Sequence, residues 1–326
     1  MSFALNHTDI SLGITSDLSS ALTIDLIPVQ MPVITTLSGA VMQAAFSSID
    51  SDSLLSRIIA LVKPLIEKQL TEKTIDFSVT PVFWLLPELA IEDNQPLINW
   101  AGLLKQYFPM LFDHPKTQFF PYGSSSIVMA LKTAESLLMN KNVQQVCFIA
   151  VDSLYHELDQ LLFNDICLTQ SNSEGLIPSE GAVMTCISLS NEGINLLVAD
   201  SERATSHQVS KSIGSLFHTV TRQLKQQHHN SLISSFYTPS NGLTKNTTPW
   251  LDAYQGLAGH VNQETKFKQL SLLTGDLGCV SGLYQFLHIY HAYQHQYITG
   301  NTLQLEMSER LYQAVNLYSW TDKGTV

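Results

Sequence analysis

Charge is what this sequence has least of. Lys, Arg, Asp and Glu make up 14% of its 326 residues, against about 25% in ordinary soluble domains. That excludes a charge-rich disordered chain. An apolar fraction of 44% is enough for a large core. Basic residues are scarcest: 17 against 28 acidic, with no Lys or Arg before Arg57. A nucleic-acid binder carries a basic stripe to neutralise phosphates, and the sequence has none. A secretory signal starts with basic residues and a mitochondrial leader is Arg-rich, so neither is expected. Long apolar runs are missing too. Leu22–Ile34 is broken by Asp25, Pro28 and Gln30, and Val143–Val151 by Gln145. Both fall short of the roughly 20 residues that span a bilayer. The expectation is a cytoplasmic protein with no membrane span. Cysteine is sparse: Cys147, Cys167, Cys186 and Cys279, with no CxxC pair. That spacing does not suit a zinc ribbon or a thioredoxin-type site. Cys147 and Cys186 lie in strand-like runs and read as small buried hydrophobes, and Cys279 reads as packing.

What is present is alternating strand and helix patterns. Residues 54–69 have helical apolar spacing despite Pro64, Thr74–Leu86 reads as a strand, and Leu97–Phe108 as a helix. Then come a short aromatic strand, Thr117–Tyr122, and a helix, Gly123–Asn140. Strands at Gln145–Asp152 and Gly181–Ser190 follow, with a helix at Glu157–Leu168 between them. The second part repeats the theme. Ile194–Asp200 and Ser231–Tyr237 read as strands around a helix at Ser212–Gln227. A loop, Thr238–Pro249, leads to a helix at Trp250–Gly259, a strand at Gln269–Thr274 and a helix at Gly275–Gln296. Thr302–Glu306 and Leu311–Trp320 read as closing strands. The first 50 residues, rich in Ser, Thr and Ala, give poor periodicity. One unit thus occurs twice, near Gly123 and near Gly275: apolar strand, glycine, small-residue turn, then a helix apolar on several faces. Helices apolar all round are buried, and small residues at their starts let backbones approach.

These features resemble the thiolase superfamily, and within it the β-ketoacyl synthases. Four stretches carry the resemblance. Tyr122–Leu131 (YGSSSIVMAL) is similar to the elbow that holds the family's Cys. Val146–Leu154 is similar to the strand after it. Leu168–Val183 resembles the stretch that ends in an E-G-A strand, here Glu180, Gly181 and Ala182. Gly275–Gly282 (GDLGCVSG) resembles G-H-x-x-x-A-x-G. Together they cover Thr117 to about Gln296. The first ~110 residues are divergent, and the chain is short for a synthase. The resemblance implies a thiolase-like layered αβαβα fold from two pseudo-repeated halves, residues 1–190 and 191–326, together one compact domain. It implies no cofactor and no metal. It also implies a dimer through Thr117–Tyr122, whose Phe119, Phe120 and Tyr122 suit an interface.

Family chemistry needs a Cys at a helix start, where the dipole lowers its pKa, and two His that hold the thioester oxygen. Every matching position departs. The Cys position falls on Gly123 or, one residue on, Ser124. The first His position falls on Ser240, in Thr238–Thr244, and the second on Asp276. The family Lys position falls on Ser271. Asp276 is the one ionisable group left at these positions, and it is negative where a donor is needed. The sequence therefore points to a degenerate, non-catalytic synthase-like partner or scaffold in a fatty-acid, polyketide or related acyl-transfer system, comparable to a chain length factor. Its expected partners are a second copy or an active synthase, and an acyl carrier protein or acyl chain. The acidic balance argues against docking a carrier, itself acidic. Two alternatives are an acyltransferase or thioesterase using Ser124, and a purely structural component of a larger assembly.

Bland readings stand beside several candidates. Ser124, Ser125 and Ser126 suit capping and packing at a helix start, and Asp276 suits a cap near a helix N-terminus. His288, His291 and His295 share a helix face with metal-like spacing. Tyr284, Tyr290, Tyr293 and Tyr297 surround them, so they read as a polar-aromatic helix end near a surface or interface. His228 and His229 read as a solvated helix end. Asn241-Gly242 marks a turn. Asn246-Thr247-Thr248 is a glycosylation sequon only in a secreted chain.

Overall fold

A computed structural model describes residues 2–36, 39, 41–89, 95–226 and 231–322. The elements of the first half are β1 (Ser2–Leu12), α1 (Leu18–Leu22), β2 (Val33–Thr35), β3 (Val41–Gln43), α2 (Leu54–Glu72), β4 (Val82–Leu85), α3 (Gln95–Tyr107), β5 (Gln118–Phe120), α4 (Ser126–Met139), β6 (Gln145–Ser153), α5 (Leu158–Phe163) and β7 (Glu180–Ser190). Those of the second are β8 (Gly193–Arg203), α6 (Val209–Gln226), β9 (Ile233–Tyr237), α7 (Thr244–Ala253), β10 (Lys266–Lys268), α8 (Ser271–Thr274), α9 (Val280–Gln294), β11 (Asn301–Met307) and β12 (Tyr312–Thr321).

The sheet carries the repeat. One half runs β5-β4-β6-β7-β1, the other β10-β9-β11-β12-β8. In each, two parallel pairings are followed by two antiparallel ones. The halves meet edge to edge through the pair Phe3↔Ile194. Both halves of this ten-stranded sheet are buried on both faces, so alternate residues of one strand serve different cores. Along β6, Val146, Phe148 and Ala150 join the central core, while Cys147, Ile149 and Val151 pack outward under α2 and α3. The central core holds α4 and α9 between the two halves of the sheet. On the far side, α6 and α7 cover the second sheet through Ile213, Phe217 and Trp250. This is the five-layer αβαβα fold that the resemblance implies.

The first cation of the chain is buried. Arg57 on α2 pairs with Glu180 at 2.5 Å, with neither side chain exposed. Glu180 also accepts from the Ser47 backbone N–H and the Ser153 hydroxyl. The Glu of the E-G-A strand is therefore a structural tie that satisfies a buried pair.

Several boundaries differ from the sequence reading. β1 breaks its alternation by a register shift between Asn6 and Asp9, with His7 in a left-handed conformation. A period-2 search loses phase there. The strand read over Thr74–Leu86 shrinks to β4, because Asp76 folds an Asx turn onto the Ser78 N–H. Gln269–Thr274 is not a strand. The strand is β10, just before it, and Ser271–Thr274 is one turn of helix. Residues 244–249, read as loop, open α7. Residues 275–279 form a turn, and the helix begins at Val280. Pro64 sits inside α2 without ending it.

The histidine face is also revised. His288 is buried deep in the core. It contacts the Tyr237 hydroxyl at 2.9 Å and Asp25 Oδ1 at 3.0 Å, while His295 is exposed. Burial raises the Asp25 carboxyl, but His288 and Lys268 outweigh it and hold that group well below the usual carboxylate range. The histidine pair His228–His229 lies outside the described residues. No described helix is long and apolar enough to cross a membrane.

Candidate functional site

The two central helices cross at their starts, and that crossing makes the site. Gly282 on α9 lies so close to the elbow that a Cβ there would stand 2.3 Å from the Ser124 carbonyl oxygen. Only glycine permits this approach. Around the crossing is a cavity of about 250 Å³. Gly123, Ser124, Ser240, Ser271 and Asp276 all line it. Five positions picked out from motifs up to 153 residues apart thus share one pocket.

The elbow is an uncharged, self-satisfied turn. Gly123 has φ +60°, the left-handed region that disfavours a side chain, and its N–H donates to the Leu86 carbonyl. The Ser124 hydroxyl donates to the Met307 carbonyl at 3.0 Å. Ser125 donates to Tyr312 O and Ser126 to Phe120 O. Ser125 and Ser126 are buried, as their capping and packing reading expects. Ser240 is buried beneath Trp250, whose indole N–H donates to its hydroxyl at 3.0 Å. The Ser271 hydroxyl donates to the Ser240 carbonyl at 2.5 Å.

The start of α9 is built from acids. Asp276 accepts from the Asn241 side chain at 2.6 Å and from the Gly278 N–H at 3.0 Å. Asp152, from β6, accepts from the Cys279 N–H at 2.8 Å. These bonds use the backbone donors that elsewhere make a helix start an anion site. Cys279 reaches the pocket wall, but its thiol donates to Val151 and Leu85 carbonyls. Burial and then the Asp152 charge push that thiol well up, so no thiolate forms there.

Carboxyl groups that no motif revealed complete the pocket. Glu88, Asp152, Glu157, Glu306 and Glu309 line it with Asp276, against the single cation Lys245. Asp276 is therefore not the one ionisable group of the site. Burial raises Asp152 to about 7, partly offset by the Cys279 and Ser153 N–H groups. Burial likewise raises Glu306 to about 8, offset by Gln304 and Ser124 and reinforced by Asp276. Glu309 is exposed at the mouth, and its surroundings and Asp276 push it upward too. The only local signal was the spacing of Glu306 and Glu309 at the end of β11. Among the described residues, no His lines the pocket. Gly123, Gly278 and Cys279 spend their N–H groups internally, so these positions offer no donor pair for a developing oxyanion.

No family model and no curated protein matches the sequence. Solved structures do. The ishigamide ketosynthase/chain length factor superposes with TM-score 0.70 at 10% identity over 99% of this chain and 100% of that one. The ketosynthase ApeO in complex with its chain length factor ApeC, from Xenorhabdus doucetiae, gives 0.68 at 8%, covering 98% of each chain. The AntDE:AntF structure, a type II PKS acyl-carrier protein in complex with its ketosynthase bound to the hexaketide, gives 0.62 at 12%, covering 97% and 98%. The chain has the thiolase-type fold of the ketosynthases. The superposition takes in the first 110 residues, which lack the motifs.

Proposed function

We propose that this chain is a ketosynthase-like protein of polyketide or related acyl assembly that does not condense acyl units itself. It acts as a partner subunit comparable to a chain length factor. One observation carries the reading: the positions matching the family's Cys, His, His and Lys are Gly123, Ser240, Asp276 and Ser271, and all four face one acid-rich pocket. A malonyl group brings its own carboxylate into a pocket lined by six acidic side chains and one lysine among the described residues, and those that are ionised repel it. β5 ends the sheet. Its Phe119 and Phe120 pack inward, Phe120 into the central core, so the proposed dimer contact uses the strand edge rather than an aromatic surface. The partner is a second copy or an active synthase; a carrier protein or acyl chain is then contacted through the pair.

The test is decarboxylation and condensation of malonyl-thioesters by the purified chain. No turnover is expected, and activity abolished by Asp276→Asn or Ser124→Ala overturns the reading. Light scattering at micromolar concentration, alone and with a synthase, tests the pairing.

A second reading, acyl transfer by Ser124, has one observation in its favour: Ser124 lines the pocket beside the Glu306 carboxyl. Glu306 holds its proton at neutral pH, so it is a poor base for the hydroxyl. Fluorophosphonate labelling of Ser124 would favour this second reading.

A further inference from the structure

We propose that the pocket binds a small molecule bearing a protonated primary amine, held by the carboxyl groups around Asp276 and by the Gln285 side-chain oxygen. The inference concerns the pocket of the proposed function and rests on that pocket not being a condensing site.

The first ground is charge. Glu88, Asp152 and Glu157 approach from the first half, and Asp276, Glu306 and Glu309 from the second, with Lys245 the opposing cation. Burial, with Asp276 adding to it, raises both Glu306 and Glu309. The second ground is an unmet acceptor. Gln285, on the face of α9 that lines the cavity, is 6% exposed, and its Oε1 has no hydrogen-bond partner. A buried orphan acceptor is costly unless something donates to it. The third ground is the state of the donors. Asn241 donates to Asp276, Cys279 N–H to Asp152, and Ser124 to Met307 O. An anion meets repulsion here, and a neutral carbonyl meets donors already engaged. An ammonium group supplies three donors and one positive charge to a wall of acceptors. The remaining surface suits an aliphatic stem, with Leu154, Leu161, Ile166 and Leu176 in the lining.

Binding is linked to protons. Asp152 and Glu306 are raised to about 7 and about 8 in the free pocket. A bound cation favours their charged forms, so protons leave as the amine enters. Affinity therefore rises with pH between about 6 and 8, until the amine loses its own proton.

Calorimetry and thermal shift on the full chain, with n-butylamine, n-butanol and butyrate, test this. The amine is expected to bind and raise the melting temperature, more strongly at pH 8 than at pH 6. Calorimetry in two buffers of different ionisation enthalpy should show proton release. Butanol and butyrate should do neither. Glu309→Gln, at an exposed position that does not threaten folding, and Gln285→Leu should each weaken the amine roughly tenfold, the scale of one charge-assisted contact. No amine binding, equal binding of butyrate, or unchanged affinity in both variants overturns the proposal. Malonyl-thioester turnover measured on the same samples separates the two ideas. Turnover sinks the non-condensing reading, whereas amine failure without turnover sinks only this one.

Discussion

The starts of α4 and α9 occupy equivalent places in the two halves, yet they are finished in opposite ways. At α4, three serine hydroxyls donate to backbone carbonyls, and none of the turn's own residues is ionisable. At α9, two acidic side chains accept the Gly278 and Cys279 N–H groups. The positive end of a helix attracts anions. Filling it with Asp152 and Asp276 turns a place suited to hold an oxyanion into one that repels it. The pocket between the two starts takes its sign from the second.

The crossing itself is the most fragile part of this comparison. Gly282→Ala places a Cβ 2.3 Å from the Ser124 carbonyl oxygen and 2.7 Å from Ile127. Overpacking against backbone should cost about 3 kcal/mol, read as a lower denaturation midpoint with unchanged slope. A midpoint within error of the parent would mean that the helices do not meet there.

Removing an acid instead sharpens the contrast through pH. The Glu306 carboxyl is pushed up to about 8 by burial, above its unfolded value near 4.3. The native state thus keeps a proton that the unfolded chain has released. Its contribution is full below the unfolded value and is lost as pH rises through 8. Glu306→Gln should therefore stabilise the protein above pH 8 by an amount of order a few kcal/mol and flatten the decline between pH 5 and 9. Thermal denaturation across that range checks it, and parallel profiles for parent and variant would refute it.

The smallest effect is expected at the uncharged start. Gly123→Cys puts a side chain at φ +60°, 3.1 Å from Ser308 Cβ, at a cost of about 1–2 kcal/mol. It returns a thiol to the elbow but supplies no histidine, so malonyl-thioester turnover should stay absent. Turnover in this variant would show that the acidic start of α9 is no barrier to condensation.

The sequence disclosed the repeated unit because strand and helix periodicity is local and because buried helices are apolar all round. It also placed Gly123, Ser124, Ser240, Ser271 and Asp276 by motif, and the cavity gathers all five. It missed β1, whose bulge hides the alternation, and misread Gln269–Thr274, whose three leucines among six residues suit a strand or a buried helical turn equally. Asp152 stood in a recognised strand, yet nothing nearby tied it to Cys279, 127 residues later. His288 seemed a surface residue until Asp25, 263 residues away, proved to be its partner.

What the sequence determined by itself is therefore the repeated strand–helix unit and the residues Gly123, Ser240, Asp276 and Ser271 at its motif positions, both of which follow from residue identity and short-range spacing. What only the tertiary structure decided is the sign of the pocket. Charges sum through space, and six carboxyl groups scattered from Glu88 to Glu309 meet one lysine only when the two halves close around the crossing of α4 and α9.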